Sequence, residues 1–364
     1  MVNPPDFNDA PAAKKLLSEI SFLAETTGPV KIMEVCGTHT MEIGRLGLRS
    51  LLPSNIELVS GPGCPVCVTP GACIDSAAYL SVEKGVRIVS YGDMIRVPGN
   101  VASLETARSK GAHIDVVTSP LEALEIAKKH PEQEVVFFAV GFETTAPATA
   151  MSIENAYNRG IRNLSFLMSH RTVPPVLKAL IDDKSISISG FLLPGHVSAI
   201  IGEAPYHLLD NYGIPGVITG FEALDILLGI FKVCDMLEKK KPEIVNAYSR
   251  TVKKNGNPLA IKICEKIFEP CDAVWRGIGM IPESGLAIRN LYSQFDAALR
   301  HNLNIDVAAT AVQPQGCSCG TVLKGIIKPD QCQLFKNLCT PQTPVGPCMV
   351  SSEGACAAYF RYGA

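Results

Sequence analysis

EVVFFAVGFETTAPATAMSIENAYNRGIRNLSFLMS (134–169) decides the fold class. EVVFFAV (134–140) and LSFLMS (164–169) are continuous apolar runs of strand length, and PATAMSIENAYNRG (147–160) between them has a helical pattern. A strand buried on both faces, a helix and a second such strand make a parallel crossover unit. The same alternation continues outward. VKIMEV (30–35), IELVS (56–60), VRIVSY (86–91) and IDVVTS (114–119) precede it, and SISISGFL (185–192) and GVITG (216–220) follow it. Eight strands with helices such as LEALEIAKKH (121–130) among them predict an α/β protein with two parallel-sheet domains around a cleft, hinged near 120–133. Beyond 221 the pattern changes. FEALDILLGIFKVCDMLEKKK (221–241) is an amphipathic helix with a basic end, and the remainder is irregular and rich in Gly, Pro and Cys. That remainder is too poor in strands for another α/β unit.

A chain of 364 residues calls for two or three domains. With 47% hydrophobic and 19% charged residues it has enough apolar surface to bury sizeable cores and is not disordered. A formal net charge of −2 without a long basic run argues against nucleic acid or an anionic membrane as the main partner. No uninterrupted apolar stretch reaches the roughly 18 residues of a membrane span. The N-terminal MVNPPDFNDAPAAKK lacks the basic-then-apolar order of a secretory signal, so a cytoplasmic location is expected.

The 13 cysteines are many for a reducing compartment, where static disulfides are rare. Cys73, Cys234 and Cys264 have apolar neighbours and read as core residues. The clustering asks for more. Six cysteines fall in the last 48 residues and four lie between Cys36 and Cys73, a distribution that points to metal ligands or redox thiols. In the C-terminal group, Cys317, Cys332, Cys339 and Cys356 form one spaced subset, leaving Cys319 and Cys348. No close C-x2–4-C pairs of the structural zinc type occur, so thiolates from separate loops favour an iron–sulfur cluster. Spacing alone does not choose four ligands among the six. The leftover pair reads as a dithiol able to exchange electrons with the cluster. The expected division is an α/β domain I over 1–125, an α/β domain II over 126–235 and an irregular iron–sulfur domain over 236–364.

In parallel sheets, ligands sit at the carboxyl ends of the strands. CGTHT (36–40), GPGCPVC (61–67), GFETTAP (141–147) and PGHVS (194–198) all follow strands, which favours one shared cleft. Cys36 and His39 lie in the first of these loops. Cys64 and Cys67 form a C-x-x-C pair, a spacing that supports a disulfide, a metal site or an acidified thiol. Glu143 is a candidate acid supporting a ligand of the site, or a cap of the helix that follows it. His196 is a candidate ligand or proton carrier, and a loop histidine of this kind is more often simply hydrogen-bonded.

Together with RGIGMIPESGL (276–286) and the C-terminal cysteines, these motifs closely resemble the HypD family, maturation proteins of nickel–iron hydrogenases. The resemblance runs from about residue 30 to the end. It implies two α/β domains and a third holding a 4Fe–4S cluster on Cys317, Cys332, Cys339 and Cys356. It makes Cys319 and Cys348 a dithiol like that beside the cluster of ferredoxin:thioredoxin reductase, and Cys64 and Cys67 cleft thiols in redox steps. It assigns Cys36 to an assembled iron that carries two cyanides and one carbon monoxide. It implies a complex with the chaperone HypC, cyanide delivery by HypE with HypF upstream, and final transfer to the hydrogenase large subunit. The expected role is a redox-active metallocentre assembly scaffold rather than a conventional turnover enzyme. The competing expectation is a free-standing iron–sulfur thiol/disulfide reductase, for which Cys36 would be dispensable. A purely structural zinc protein is the third.

Overall fold

The computed structural model describes residues 9–303 and 314–363, so the first eight residues of the stretch read for a leader lie outside it. Two fully parallel sheets carry the fold. The first has five strands, in the order β2 (Ile56–Ser60), β1 (Val30–Glu34), β7 (Gly190–Pro194), β8 (Gly216–Thr219) and β9 (Ile244–Asn246). The second has four, in the order β4 (Ile114–Val116), β3 (Arg87–Ser90), β5 (Val135–Gly141) and β6 (Leu164–His170). The α/β class and the two parallel sheets are as the apolar runs predict.

β5 shows why those runs are continuous. Val135, Phe137 and Ala139 pack on one face against the helices Leu121–Lys129 and Ala146–Asn158. Val136, Phe138 and Val140 pack on the other face against the helix Gly71–Lys84. Both faces are dry, so no alternation with polar residues survives. In the five-stranded sheet, Ile32, Leu58, Leu192 and Val217 meet the helices Ala10–Thr27 and Ala223–Glu238. Met33, Val59, Phe191, Leu193 and Ile218 face the opposite way, into a core shared with the C-terminal cysteines.

The expected boundaries need correction. Residue 125 does not separate the sheets. β3 precedes it but pairs with β5 and carries β4 with it, whereas β7 follows it but pairs with β1 and carries β8 with it. The chain leaves the first sheet after β2, builds the whole second sheet, and returns through β7. Residues 120–133 are no hinge, because Ala123, Leu124 and Ala127 of the helix Leu121–Lys129 are buried on β5. Residue 236 is not a boundary either, since β9 completes the first sheet beyond it. The strand expected over 185–192 starts only at Gly190. Asp183 Oδ1 accepts hydrogen bonds from the Ser185 amide (3.0 Å) and hydroxyl (2.6 Å), which commits that segment to a turn.

The C-terminal third contains an antiparallel hairpin, β10 (Phe268–Trp275) and β11 (Gly279–Ile288). It packs Phe268 and Ile288 against the second sheet and Trp275 and Ile281 into the core with the cysteines. Beyond it come short helices and turns around the six cysteines. Among the described residues no helix is long and apolar enough to cross a membrane.

The interleaved topology is testable. A fragment of residues 1–125 keeps β3 and β4 but removes β5 and β7, the partners that bury them and β1. It is expected to show no cooperative unfolding transition in a denaturant titration followed by circular dichroism. A sharp two-state transition in that fragment would contradict the strand order.

Candidate metal and thiol site

The carboxyl edge of the five-stranded sheet brings three of the singled-out loops together, because β2, β1 and β7 are neighbours. Cys36 leaves β1 in extended conformation and caps the helix Gly37–Arg45. Gly63, in the loop after β2, lies against it so closely that a Cβ there would fall 2.2 Å from the Cys36 nitrogen. The Gly37 amide donates to the Gly63 carbonyl at 2.9 Å and locks the two loops. Cys36 is only 8% exposed, and burial pushes its thiol up to about 12, opposed by the His39 and Thr38 amides at the helix start. A metal held there must displace a proton from a group with little access to water.

Beneath Cys36 lies a carboxylate that the sequence reading passed over. Glu34 is fully buried. Its Oε1 accepts from Thr40 Oγ1 at 2.5 Å and its Oε2 from the Cys36 amide at 3.3 Å. Burial pushes it up to about 7, with the Thr40 hydrogen bond opposing. The available signal was an acid closing an otherwise apolar strand, VKIMEV. Glu353, also missed, comes from the C-terminal segment. Thr38 Oγ1 donates to its Oε1 at 2.7 Å, and a Cβ on Gly37 would meet its Cβ at 2.5 Å.

His39 is buried and its Nε2 donates to the Gly220 carbonyl at 2.8 Å. That bond leaves Nδ1 as a bare acceptor, buried without a partner. Burial pulls the ring down to about 4, so it is neutral at pH 7. Phe221 sits between the two histidines of the cleft, with ring centroids 4.7 Å from His39 and 4.0 Å from the stacked His196. His196 is the more exposed of the two, and partial burial still lowers its pKa against the pull of Glu353. Glu143 does not cap the helix that follows it. Its Oε1 accepts from the Val173 amide at 2.8 Å, at the start of the helix Val173–Asp182, and its Oε2 is buried without a partner. Burial pushes this carboxyl up to about 7. Phe142, next to Glu143, shares a core with Val173, Tyr206, Cys64 and Cys67, so the loop after β5 packs near these thiols.

The thiols form a connected series. Cys64 caps the short helix Pro65–Val68, which contains the fully buried Cys67. Cys67 lies beside Cys64 on one side and Cys348 on the other, and its thiol donates to the Pro347 carbonyl at 4.0 Å. Cys348 in turn meets Cys319, and Cys319 meets Cys317 and Cys356. Burial holds the Cys67 thiol well above its ordinary value, while Cys356 is raised first by the neighbouring Cys319 and then by burial. Cys339 accepts from the Val345 amide at 3.4 Å. Cys332 stands partly exposed at the turn that leads to Phe335. Cys73 and Cys234 are core residues, as their neighbours suggest.

Among the described residues no three His, Cys, Asp or Glu side chains already converge on one ion position. The donor set nevertheless fits a thiolate-ligated cluster. The sulfurs gather without an intervening carboxylate. A Cβ on Gly346 would lie 2.5 Å from Cys317 Sγ and 2.6 Å from Cys319 Sγ, so only glycine leaves room at that wall.

The comparisons with known proteins identify a family. The model of the family HypD, described as "Hydrogenase formation hypA family", matches residues 11–363. The hydrogenase maturation factor HypD of Rhodobacter capsulatus is 43% identical over 366 residues, covering 98% of this chain and 97% of the relative. The HypD factor of Azotobacter vinelandii is 40% identical over 366 residues, covering 98% and 96%. The hydrogenase expression/formation protein HupD of Azotobacter chroococcum is similar to the same extent, at 40%. With three of the motif loops on one sheet edge, buried thiols sharing one core and a match along almost its whole length, the chain belongs to the HypD family of hydrogenase maturation factors.

Proposed function

We propose that this protein is the scaffold on which the iron centre of a nickel–iron hydrogenase acquires two cyanides and a carbon monoxide, with redox steps carried by its thiols. The observation that carries the reading is the unbroken series of contacting thiols from Cys64 to Cys356, which begins one backbone contact away from Cys36. Cys36 is the ligand of the assembled iron, together with a thiolate from a HypC-like chaperone. Cyanide makes that iron low-spin and electron-rich, a state suited to soft thiolate donors. Glu34 and the neutral His39 border this thiolate as buried proton acceptors. Glu143 and His196 face the same cleft, where an incoming HypE-like cyanide donor, supplied by HypF, must fit.

Cyanide arrives as a thiocyanate, R–S–CN, and its release is reductive. Cys64 and Cys67 supply the electron pair: R–S–CN and two thiols give R–SH, HCN and a Cys64–Cys67 disulfide. The S–CN bond breaks, an S–S bond forms, and the two thiol protons end on the products. Cys348, in contact with Cys67, restores the pair by thiol–disulfide exchange and passes the disulfide to Cys319. The 4Fe–4S cluster implied for Cys317, Cys332, Cys339 and Cys356 would supply single electrons when bound. Cys319 touches two of these four side chains, which makes it the exchange point between pair and single-electron chemistry. The finished iron goes to the hydrogenase large subunit, in the cytoplasm.

Iron and inorganic-sulfide analysis of anaerobically purified protein separates the scaffold from a free-standing reductase. Wild type is expected to hold about four sulfides and iron in excess of them. Cys36→Ala is expected to keep the sulfide, lose the excess iron and fail to support hydrogenase maturation. Equal iron in both proteins, or full maturation by Cys36→Ala, would favour the reductase.

The order of exchange has its own test. Cys348→Ser removes the link between Cys67 and Cys319. It is expected to retain visible cluster absorbance that bleaches on reduction, yet leave an oxidised Cys64–Cys67 pair unreduced by a low-potential one-electron donor. Differential alkylation and mass spectrometry read the pair directly. Reduction at the wild-type rate would remove Cys348 from the route.

A further inference from the structure

The amino edge of the five-stranded sheet, opposite the edge that carries Cys36, holds a cavity of about 710 Å³ that the chemistry above does not use. Val30 and Ile56, the first residues of β1 and β2, line it. Its charged side chains come from three parts of the chain. Lys31 and Glu57 stand on the paired strands, Arg49 on the helix Leu48–Leu51, and Lys328 on the segment between Cys317 and Cys332. Three cations against one carboxylate leave an excess of two positive charges in this lining.

None of the three cations is held closely. Lys31 and Lys328 reach different oxygens of Glu57 at 3.4 Å each, where a close charge-assisted pair lies at about 2.7–2.9 Å. Lys31 also donates to the Gly325 carbonyl, again at 3.4 Å. Arg49 lies over the ring of Tyr359, 4.4 Å from its centroid, and its Nε and Nη2 are buried without a hydrogen-bond partner. Among the described residues it forms no ion pair. The buried Glu34 feels its charge, yet the oxygens of Glu34 accept from Thr40 and from the Cys36 amide. A guanidinium in that state is costly unless an anion meets it. Lys31, Glu57 and Lys328 are half-exposed, so solutes reach the cavity that Arg49 lines.

We propose that this cavity binds the phosphoryl group of a small phosphorylated molecule. A phosphoryl dianion matches the excess of two positive charges, which a single carboxylate does not. Ser54 and Ser187 line the same space and carry hydroxyls able to donate. The volume is that of a small-molecule site rather than of one phosphate. No aromatic side chain lines it among the described residues, so the rest of the ligand is a second phosphate or a sugar-like group rather than a stacked base. An occupant ties β1 and Arg49 to the segment that leads to Cys332. The inference is independent of the redox reading.

Isothermal titration of full-length, anaerobically purified protein with inorganic pyrophosphate and with ribose 5-phosphate, at fixed ionic strength, tests the site, with acetate as the carboxylate comparison. At least one phosphate probe is expected to bind saturably, one molecule per chain, and about tenfold tighter than acetate, the scale of one further charge-assisted hydrogen bond. The tighter of the two identifies the rest of the ligand as phosphate or sugar. Arg49→Gln and Lys328→Gln are each expected to weaken binding about tenfold. Glu57→Gln removes the competing carboxylate and is expected to tighten it about threefold, a gain that misfolding does not produce. Lys328, half-exposed, keeps the test open if Arg49→Gln does not fold. No saturable binding of either phosphate probe in the millimolar range, equal affinity for acetate, or unchanged affinity in folded Lys328→Gln and Glu57→Gln would overturn the site.

Discussion

The site depends on one close approach, the backbone of Gly63 laid against that of Cys36. A single added carbon at residue 63 would sit inside the Cys36 backbone, so the loops after β1 and β2 meet only because residue 63 has no side chain. The contact does more than bring two motifs together. It fixes the entry of the short helix Pro65–Val68, which carries Cys67 under the C-terminal segment and into contact with Cys348. From there the thiols follow one another through the core shared by the first sheet and the C-terminal third. Glu353 closes the arrangement from the opposite side, with its backbone against Gly37 and its carboxylate on Thr38.

The sheets were legible because their strands are buried on both faces and therefore read as unbroken apolar runs. Their grouping was not. Nothing in VRIVSY says whether it pairs with IELVS before it or EVVFFAV after it, since strand pairing is a tertiary choice between equally apolar partners. Consecutive strands lie side by side more often than not, and within the parallel sheets the chain departs from that habit three times, between β2 and β3, β4 and β5, and β6 and β7. The candidate cysteines and loops were legible from clustering and from placement after strands. Glu34, Glu353, Tyr206 and Arg49 were not. Each is an ordinary residue type whose significance comes from burial or from a contact made only in the folded chain, and neither leaves a mark in a one-dimensional pattern.

Ionisable groups enclose this cleft in an unusual manner for a protein interior. Glu34, Glu143 and His39 are all buried, and burial drives each toward its neutral form, the acids up to about 7 and the histidine down to about 4. Two of the three carry an atom with no hydrogen-bond partner, His39 Nδ1 and Glu143 Oε2. A fold that needed only stability would replace such groups with apolar ones of similar volume. Their presence is consistent with the proposed scaffold role, in which they would receive protons or a ligand.

Burial also explains how a chain of thiols can remain orderly. Cys67 and Cys348 are fully buried, and Cys64 and Cys319 nearly so. Soluble oxidants reach such sulfurs slowly, so over-oxidation and exchange with free thiols are suppressed. In the proposed relay, exchange is confined to neighbouring sulfurs, so that their order would set the order of electron movement. The penalty is a low thiolate fraction, because burial that shields a thiol also holds it protonated, as it does Cys67. A relay of this kind needs local positive charge or amide donors to release the nucleophile at each step. The His39 and Thr38 amides meet that need at Cys36.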